Sequence, residues 1–512
     1  MAIESTDHQA ATFHRSAQGL LILGSALRVL FYFLSKNTGG DALERTAVSA
    51  HWLQHPNLQL VFGVYPPGHF WLIAALNLLV RDVTVASRLL SLLLGIASLF
   101  FAWKLARILY GDAAGMLSLA VFSFYSLHIG YSTTSSSEVP FVFFVLLALF
   151  FFFSYFHDAS RPSWYLGISG IALSIAESIR YEAWVEFGAL FLIFPLLWIL
   201  GSVPRRPVRS AVTPLAVFGV AGGAWPFIMM LYCWRNYGDP MYLVTLNHAR
   251  VAQTLATIAS PLSYQLALTP VVLLISLSPL AFASAIYGIA RSRHLPLAAA
   301  FAGLTISFAA VQTYEIFAGG LLALARYTLT LGTMLCVTSG GGLEAVCREF
   351  FFGRIKLARI AVIALLFLNL GTILALSELP NSYANKFASV SPRLKYLPRI
   401  AEVGKYLQAH MGPQDAVVID DYKVESNVIA NAAGLPILPG RRAYLAGAKN
   451  ELNVREYINR EHPRFLVYSD QGTLRESLTL PVACNQTGKV DGIEFCCAYA
   501  NQSYRVYELS YH

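Results

Sequence analysis

The sequence predicts a mainly α, polytopic transmembrane fold followed by a small α/β domain. Three observations carry this reading. The chain of 512 residues is 56% hydrophobic and 13% charged, a composition whose natural solvent is lipid. Its apolar residues fall into long runs of the length a bilayer demands. Its formal net charge of +8 lies in short clusters between those runs, the pattern of loops under the positive-inside rule rather than of a nucleic-acid surface. Membrane lipids are therefore expected partners and nucleic acid is not.

A spanning helix needs about 20 mainly apolar residues, and that rule gives roughly eleven spans. The first is Gly19 to Ser35. Met1 to Gln18 before it is polar, and the first run is long enough to stay in the membrane, so no cleavable signal is expected. A loop of residues 36–87 follows, in which His69 to Val80 is apolar but short, as suits a helix lying in the interface. The remaining spans are Arg88–Tyr110, Ala113–Tyr131, Val139–His157, Trp164–Ile179, Trp184–Gly201, Ala211–Trp234, Leu266–Ala290, Leu295–Tyr314, Tyr327–Val346 and Leu357–Leu376.

With the N-terminus inside, the basic connections Lys104–Asp112, His157–Ser163, Val203–Arg209, Arg291–His294 and Arg348–Arg359 fall on the cytoplasmic face. The opposite face receives Asp41, Glu44, Ser135–Glu138, Arg180–Glu182, Arg235–Arg250 and Tyr314–Arg326. Residues 1–376 thus form the membrane domain and 377–512 an external one. In the latter, Ala416–Asp421 and Phe465–Asp470 read as buried strands, with Ala401–His410 and Val424–Ala433 helical. No internal repeat is visible, which weakens a transporter reading built on inverted halves.

The six cysteines show neither CxxC pairing nor zinc spacing, so no metal site is expected. If the C-terminal end faces an oxidising compartment, Cys484 can pair with Cys496 or Cys497, leaving an odd thiol; ordinary buried thiols are the alternative.

Chemistry is expected where Lys36–Arg45 follows the first span and brings Asp41 and Glu44 out together at one face. A loop of this length is functional or disordered, and its aromatic residues, with Tyr65-Pro66-Pro67-Gly68, argue against disorder. Further elements on the same face are Ser137-Glu138, Arg180-Tyr181-Glu182, Asn247-His248-Ala249-Arg250 and Arg326-Tyr327. In this order the set resembles the GT-C superfamily of glycosyltransferases, in particular its family 39-like branch of bacterial protein mannosyltransferase-like and aminoarabinose transferase-like enzymes.

That resemblance implies a GT-C fold in the bacterial inner membrane, N-terminus in the cytoplasm and C-terminal domain outside. It implies inverting transfer of a sugar from a polyprenyl-phosphate donor to a hydroxyl of a lipid, glycan or protein acceptor. Asp41 matches the family's base position, with Glu44 for the second carboxylate role, since Ala42 follows Asp41 where many relatives have Asp-Glu. Arg180 and Arg326 become fixed cations for the leaving phosphate. Tyr65, His69, Glu138, Glu182, His248, Arg250 and Tyr327 complete the expected substrate-binding set. No cofactor is required; a divalent cation at His248 lacks motif support, because Val64-Tyr65 stands where some relatives carry a glutamate.

Structural alternatives exist for each residue. Asp41 and Glu44 can be a solvated helix start, Glu138 a cap, and the arginines snorkelling side chains. Rival functions are a transporter or flippase, or a non-catalytic relative that binds envelope glycans.

Overall fold

A computed structural model describes residues 2–35, 42, 45–46, 48–49, 52–53, 56–199, 211–258, 261–351, 354–379, 388–393, 398–420, 429–430, 433, 442–446, 454–469, 472, 474, 478, 480, 484, 487–490 and 492–512. Asp41 and Glu44 lie outside the described residues, as do most of Val424–Ala433 and the whole of Val203–Arg209.

The membrane part is a succession of helices: α1 (Ala2–Leu34), α2 (Gly68–Val80), α3 (Val83–Tyr110), α4 (Asp112–Phe124), α5 (Ser126–Tyr131), α6 (Glu138–His157), α7 (Trp164–Ile179) and α8 (Ala183–Ile199). They are followed by α9 (Val212–Tyr237), α10 (Tyr242–Ile258), α11 (Leu262–Leu277), α12 (Pro279–Arg291), α13 (Pro296–Phe317), α14 (Leu329–Phe350) and α15 (Ile355–Glu378). Among the described residues seven helices are long and apolar enough to cross a bilayer, or eight if one bent pair counts as a single span. Four shorter apolar helices, α2, α4, α7 and α8, lie beside them.

Two expected spans are broken. Leu266–Ala290 is the pair α11 and α12, bent by 109°. The cause is local: Pro279 lacks the N–H that would continue the helix and disfavours helical backbone in the residue before it. Ser278 accordingly sits at φ 85° and caps α12 by accepting from the Ala281 amide at 3.2 Å. Ala113–Tyr131 is interrupted at Tyr125, where extended backbone separates α4 from α5. The helix read from Arg88 begins earlier, at Val83, where Asp82 accepts from the Thr84 and Val85 amides at 2.9 Å to start α3.

The packed centre is α4, whose side chains from Ala113 to Phe124 are all buried. Beside it α14 crosses α12 without an intervening layer of side chains, the close approach that small residues permit between membrane helices. A Cβ placed on Gly342 would lie 1.9 Å from the Ser284 carbonyl oxygen, and one on Gly288 2.2 Å from that of Thr338.

Chain alternation fixes two faces. The starts of α6 and α14 and the ends of α7 and α15 share one; the ends of α3, α6, α12 and α14 share the other. The second face carries the basic residues Lys104, Arg107, Arg161, Arg291, Arg293, Arg348, Arg354 and Arg359. After α15 the chain continues on the first face, where residues 391–392 touch Gly130 of α5.

The C-terminal part is a six-stranded sheet of order β2-β1-β3-β6-β5-β4, with β1 (Ala416–Asp420) parallel to β2 (Arg442–Ala446) and β3 (Phe465–Tyr468). The remaining neighbours, β4 (Thr487–Val490), β5 (Ile493–Ala500) and β6 (Arg505–Tyr511), pair antiparallel. Alternation along β1 divides the core: Val417 and Ile419 join Val403 and Leu407 of α16 (Pro398–His410), and Val418 joins Ile458 of α17 (Val454–Glu461). Asp420 ends β1 by accepting the Ser469 and Leu474 amides at 3.0 Å. Cys484 and Cys497 form a disulfide, and Cys496 is a free, exposed thiol.

Candidate active site

The site grows from three helix termini on one face. Glu138 opens α6, where the nearby Pro140 is tolerated because first-turn amides lack helical partners. Arg180 stands just past α7, and its extended backbone, φ −151° and ψ 132°, turns the chain toward α8. Arg326 and Tyr327 lie in the single turn Ala325–Thr328 that leads into α14.

These side chains meet. Arg180 Nη1 donates to Glu138 Oε1 at 3.0 Å, and its Nε donates to Glu182 Oε1 at 3.1 Å. Arg326 Nε approaches the same Glu138 oxygen at 3.7 Å, while its Nη2 donates to the Tyr327 hydroxyl at 3.2 Å. Both guanidinium groups lie about a ring's width from Tyr327, at 5.1 and 5.0 Å. Burial alone would depress the Arg180 pKa, but Glu182 and Glu138 more than offset that and hold it above its ordinary value. The pair is thus fixed in charge and geometry.

A third cation completes this end. Arg45, 6% exposed, places its guanidinium 4.1 Å over the Tyr65 ring. Tyr65 is presented by a tight hairpin, closed by reciprocal backbone bonds with Phe62 at 3.0 Å, whose turn needs Gly63 at φ 63°. Arg45 Nη1 is buried with no hydrogen-bond partner among the described residues. Among the described residues, three arginines gather at this end with Glu138 and Glu182, a positive environment suited to an anion.

From the charges a cavity of about 210 Å³ runs between α6, α8, α10 and α13. Its wall is apolar, with Phe141, Trp184, Val244, Phe308 and Val311, and His248 meets Glu315 at 3.2 Å along it. Gln312 lines it too and donates to the Tyr327 carbonyl at 2.9 Å. A smaller recess of about 50 Å³ joins Arg45, Tyr65 and Pro66 to the same Glu138, Arg180 and Arg326.

Of the expected residues, Tyr65, Glu138, Arg180, Glu182, His248, Arg326 and Tyr327 line one or both spaces. His69 lines neither: in the first turn of α2 it is fully buried, and its ring nitrogens have no hydrogen-bond partner among the described residues. Arg250 is exposed and also lines neither, because two residues along a helix from His248 is the opposite side. Asp41 and Glu44 lie outside the described residues. Sequence reasoning missed Arg45 and Glu315. Arg45 closes the stretch containing Asp41, and Glu315 stands alone at the end of an apolar helix, a position where an ionisable group signals a cavity. Among the described residues no three His, Cys, Asp or Glu side chains converge on a point that could hold a metal.

Residues 64–232 match the family described as dolichyl-phosphate-mannose-protein mannosyltransferase. No curated protein matches the chain significantly. Among solved structures, ArnT from Cupriavidus metallidurans bound to undecaprenyl phosphate is similar at a TM-score of 0.57 and 12% identity, over 96% of this chain and 98% of that one. The oligosaccharyltransferase AglB from Archaeoglobus fulgidus, in complex with an inhibitory peptide and a dolichol-phosphate, gives 0.51 and 12%, over 88% and 69%. The chain thus shares the fold of these solved structures, and its segment 64–232 is similar to the dolichyl-phosphate-mannose-protein mannosyltransferase family.

Proposed function

We propose that this protein is an inverting glycosyltransferase that takes a sugar from a polyprenyl-phosphate carrier and passes it to an acceptor hydroxyl at the face bearing Glu138 and Arg326. The observation that carries the proposal is the group of buried guanidiniums at the head of an apolar cavity: a phosphate fits the former, a prenyl chain the latter. ArnT and AglB, whose solved forms hold a lipid phosphate, support the same reading.

In the reaction the acceptor oxygen forms a bond to the anomeric carbon as the bond from that carbon to the phosphate oxygen breaks. The acceptor proton goes to a carboxylate, Asp41 in our reading, with Glu44 beside it. The electron pair stays with the departing carrier phosphate, whose charge Arg180, Arg326 and Arg45 receive without reorganising. Residues 1–376 perform this chemistry and residues 377–512 form a second domain on the acceptor side.

Arg326→Ala tests the phosphate site. Losing a hydrogen bond to a charged group costs about 1.5 to 3 kcal/mol, so carrier affinity should fall roughly tenfold to a hundredfold. Titration of undecaprenyl phosphate into purified protein measures it, and unchanged affinity overturns the assignment.

The basic face is placed in the cytoplasm, which puts the site and the C-terminal domain outside it. Cys496 provides a native probe, being exposed while Cys233, Cys336 and Cys347 are buried. A membrane-impermeant maleimide should label Cys496 in intact cells whose outer barrier is opened, with the Cys496→Ser protein as blank. Labelling that requires a permeabilised inner membrane reverses the orientation.

A further inference from the structure

A second cavity lies at the other end of α6. The helix has 20 residues, about 30 Å at 1.5 Å per residue, so this cavity and Glu138 are separated by roughly the thickness of a bilayer core. It is a groove of about 610 Å³ between the ends of α3 and α6. Its rim is basic, formed by Lys104, Arg107, His157 and Arg161, and its floor includes Ile108 and Phe150.

The charges here are unequally committed. Arg107 pairs with Asp112, and Arg161 pairs at 3.1 Å with Asp158, the acidic residue of the rim. Lys104 makes no ion pair among the described residues; its ammonium rests 4.2 Å from the Trp103 ring centre and 5.4 Å from that of Phe100. A second feature lies in the groove wall. Ser154 lines the groove, is 6% exposed, and its hydroxyl has no hydrogen-bond partner among the described residues. A buried hydroxyl left without a partner costs free energy that a bound acceptor recovers.

We propose that this groove binds the phosphate of an anionic phospholipid from the leaflet opposite the active site. Lys104 supplies the uncommitted charge, the Ser154 hydroxyl donates to a phosphate oxygen, and an acyl chain lies along Ile108 and Phe150. Basic pockets between membrane helices suit such head groups. A zwitterionic lipid carries its own cation to a rim that is already positive, so selection against it follows.

Native mass spectrometry of the purified full chain, titrated with dioleoyl phosphatidylglycerol or dioleoyl phosphatidylcholine, tests the site. The anionic lipid should be retained preferentially. Lys104→Gln should weaken its retention roughly fivefold, the effect of one basic residue at a membrane surface. Ser154→Ala, which alters no charge, should weaken it severalfold, and serves alone if the lysine variant fails to fold. Arg293→Gln, on the same face but outside the groove, should retain it as the parent does. Equal retention of the two lipids, or parent-like binding by both Lys104→Gln and Ser154→Ala, overturns the proposal. Displacement of the lipid by millimolar inorganic phosphate also overturns it, showing a free-anion site instead.

Discussion

Asp41→Asn should leave a folded protein that still binds carrier and transfers sugar about 10² to 10⁴ times more slowly, the contribution typical of a positioned general base. The amide keeps the shape of the carboxylate and much of its hydrogen bonding but cannot accept the acceptor proton. An acidic residue that only favours a helix start contributes roughly 0.3 to 1 kcal/mol of stability and nothing to turnover. Single-turnover transfer with a preloaded carrier therefore separates the two roles, because binding is complete before the chemical step begins. An Asn variant with near-parental single-turnover rate removes Asp41 from the reaction. Glu44→Gln, measured alongside, shows which of the two carboxylates takes the proton.

The second large effect is on stability. Glu138 is 5% exposed and is the counter-charge of both Arg180, at 3.0 Å, and Arg326, at 3.7 Å. Removing one member of a buried ion pair leaves the other uncompensated, which costs about 3 to 5 kcal/mol. Glu138→Ala should accordingly unfold at a markedly lower temperature, and Glu138→Gln, which retains an acceptor oxygen, should lose less. Undecaprenyl phosphate should then raise the melting temperature of Glu138→Ala by more than that of the parent, since its phosphate supplies the missing negative charge. Equal stabilisation of both proteins by carrier means that the phosphate sits elsewhere.

The membrane part was legible because a bilayer imposes a length and a polarity on each helix. Glu138, Arg180 and Arg326 stood out as ionisable residues at the ends of apolar runs, although a cap and snorkelling side chains account for the same pattern; the structure brings the three together. Arg45 was not, since its role depends on stacking over Tyr65 and thus on a hairpin whose pairing no periodicity announces. Arg250 illustrates the opposite error. It shares a motif with His248, but adjacency in a motif says nothing about helix face, and the 3.6-residue period separates them. The 109° bend at Ser278 was written in Pro279, yet hydropathy averaged over a window passes across a single proline. In the C-terminal part the buried strands β1 and β3 stood out as apolar runs, whereas β4 alternates polar with small residues and gains its identity only from pairing with β5.

The glycine crossing of α12 and α14 has a mechanical meaning for the site. Backbones in direct contact leave no compressible layer, so α14 behaves as a keel, and Arg326 at its head is a stationary point of reference. Across the cavity, α10 buries only Leu243 and Val251 among its described side chains. On the proposed function, carrier chains of different girth should therefore be accommodated on the α10 side while the phosphate end keeps its place beside Arg326.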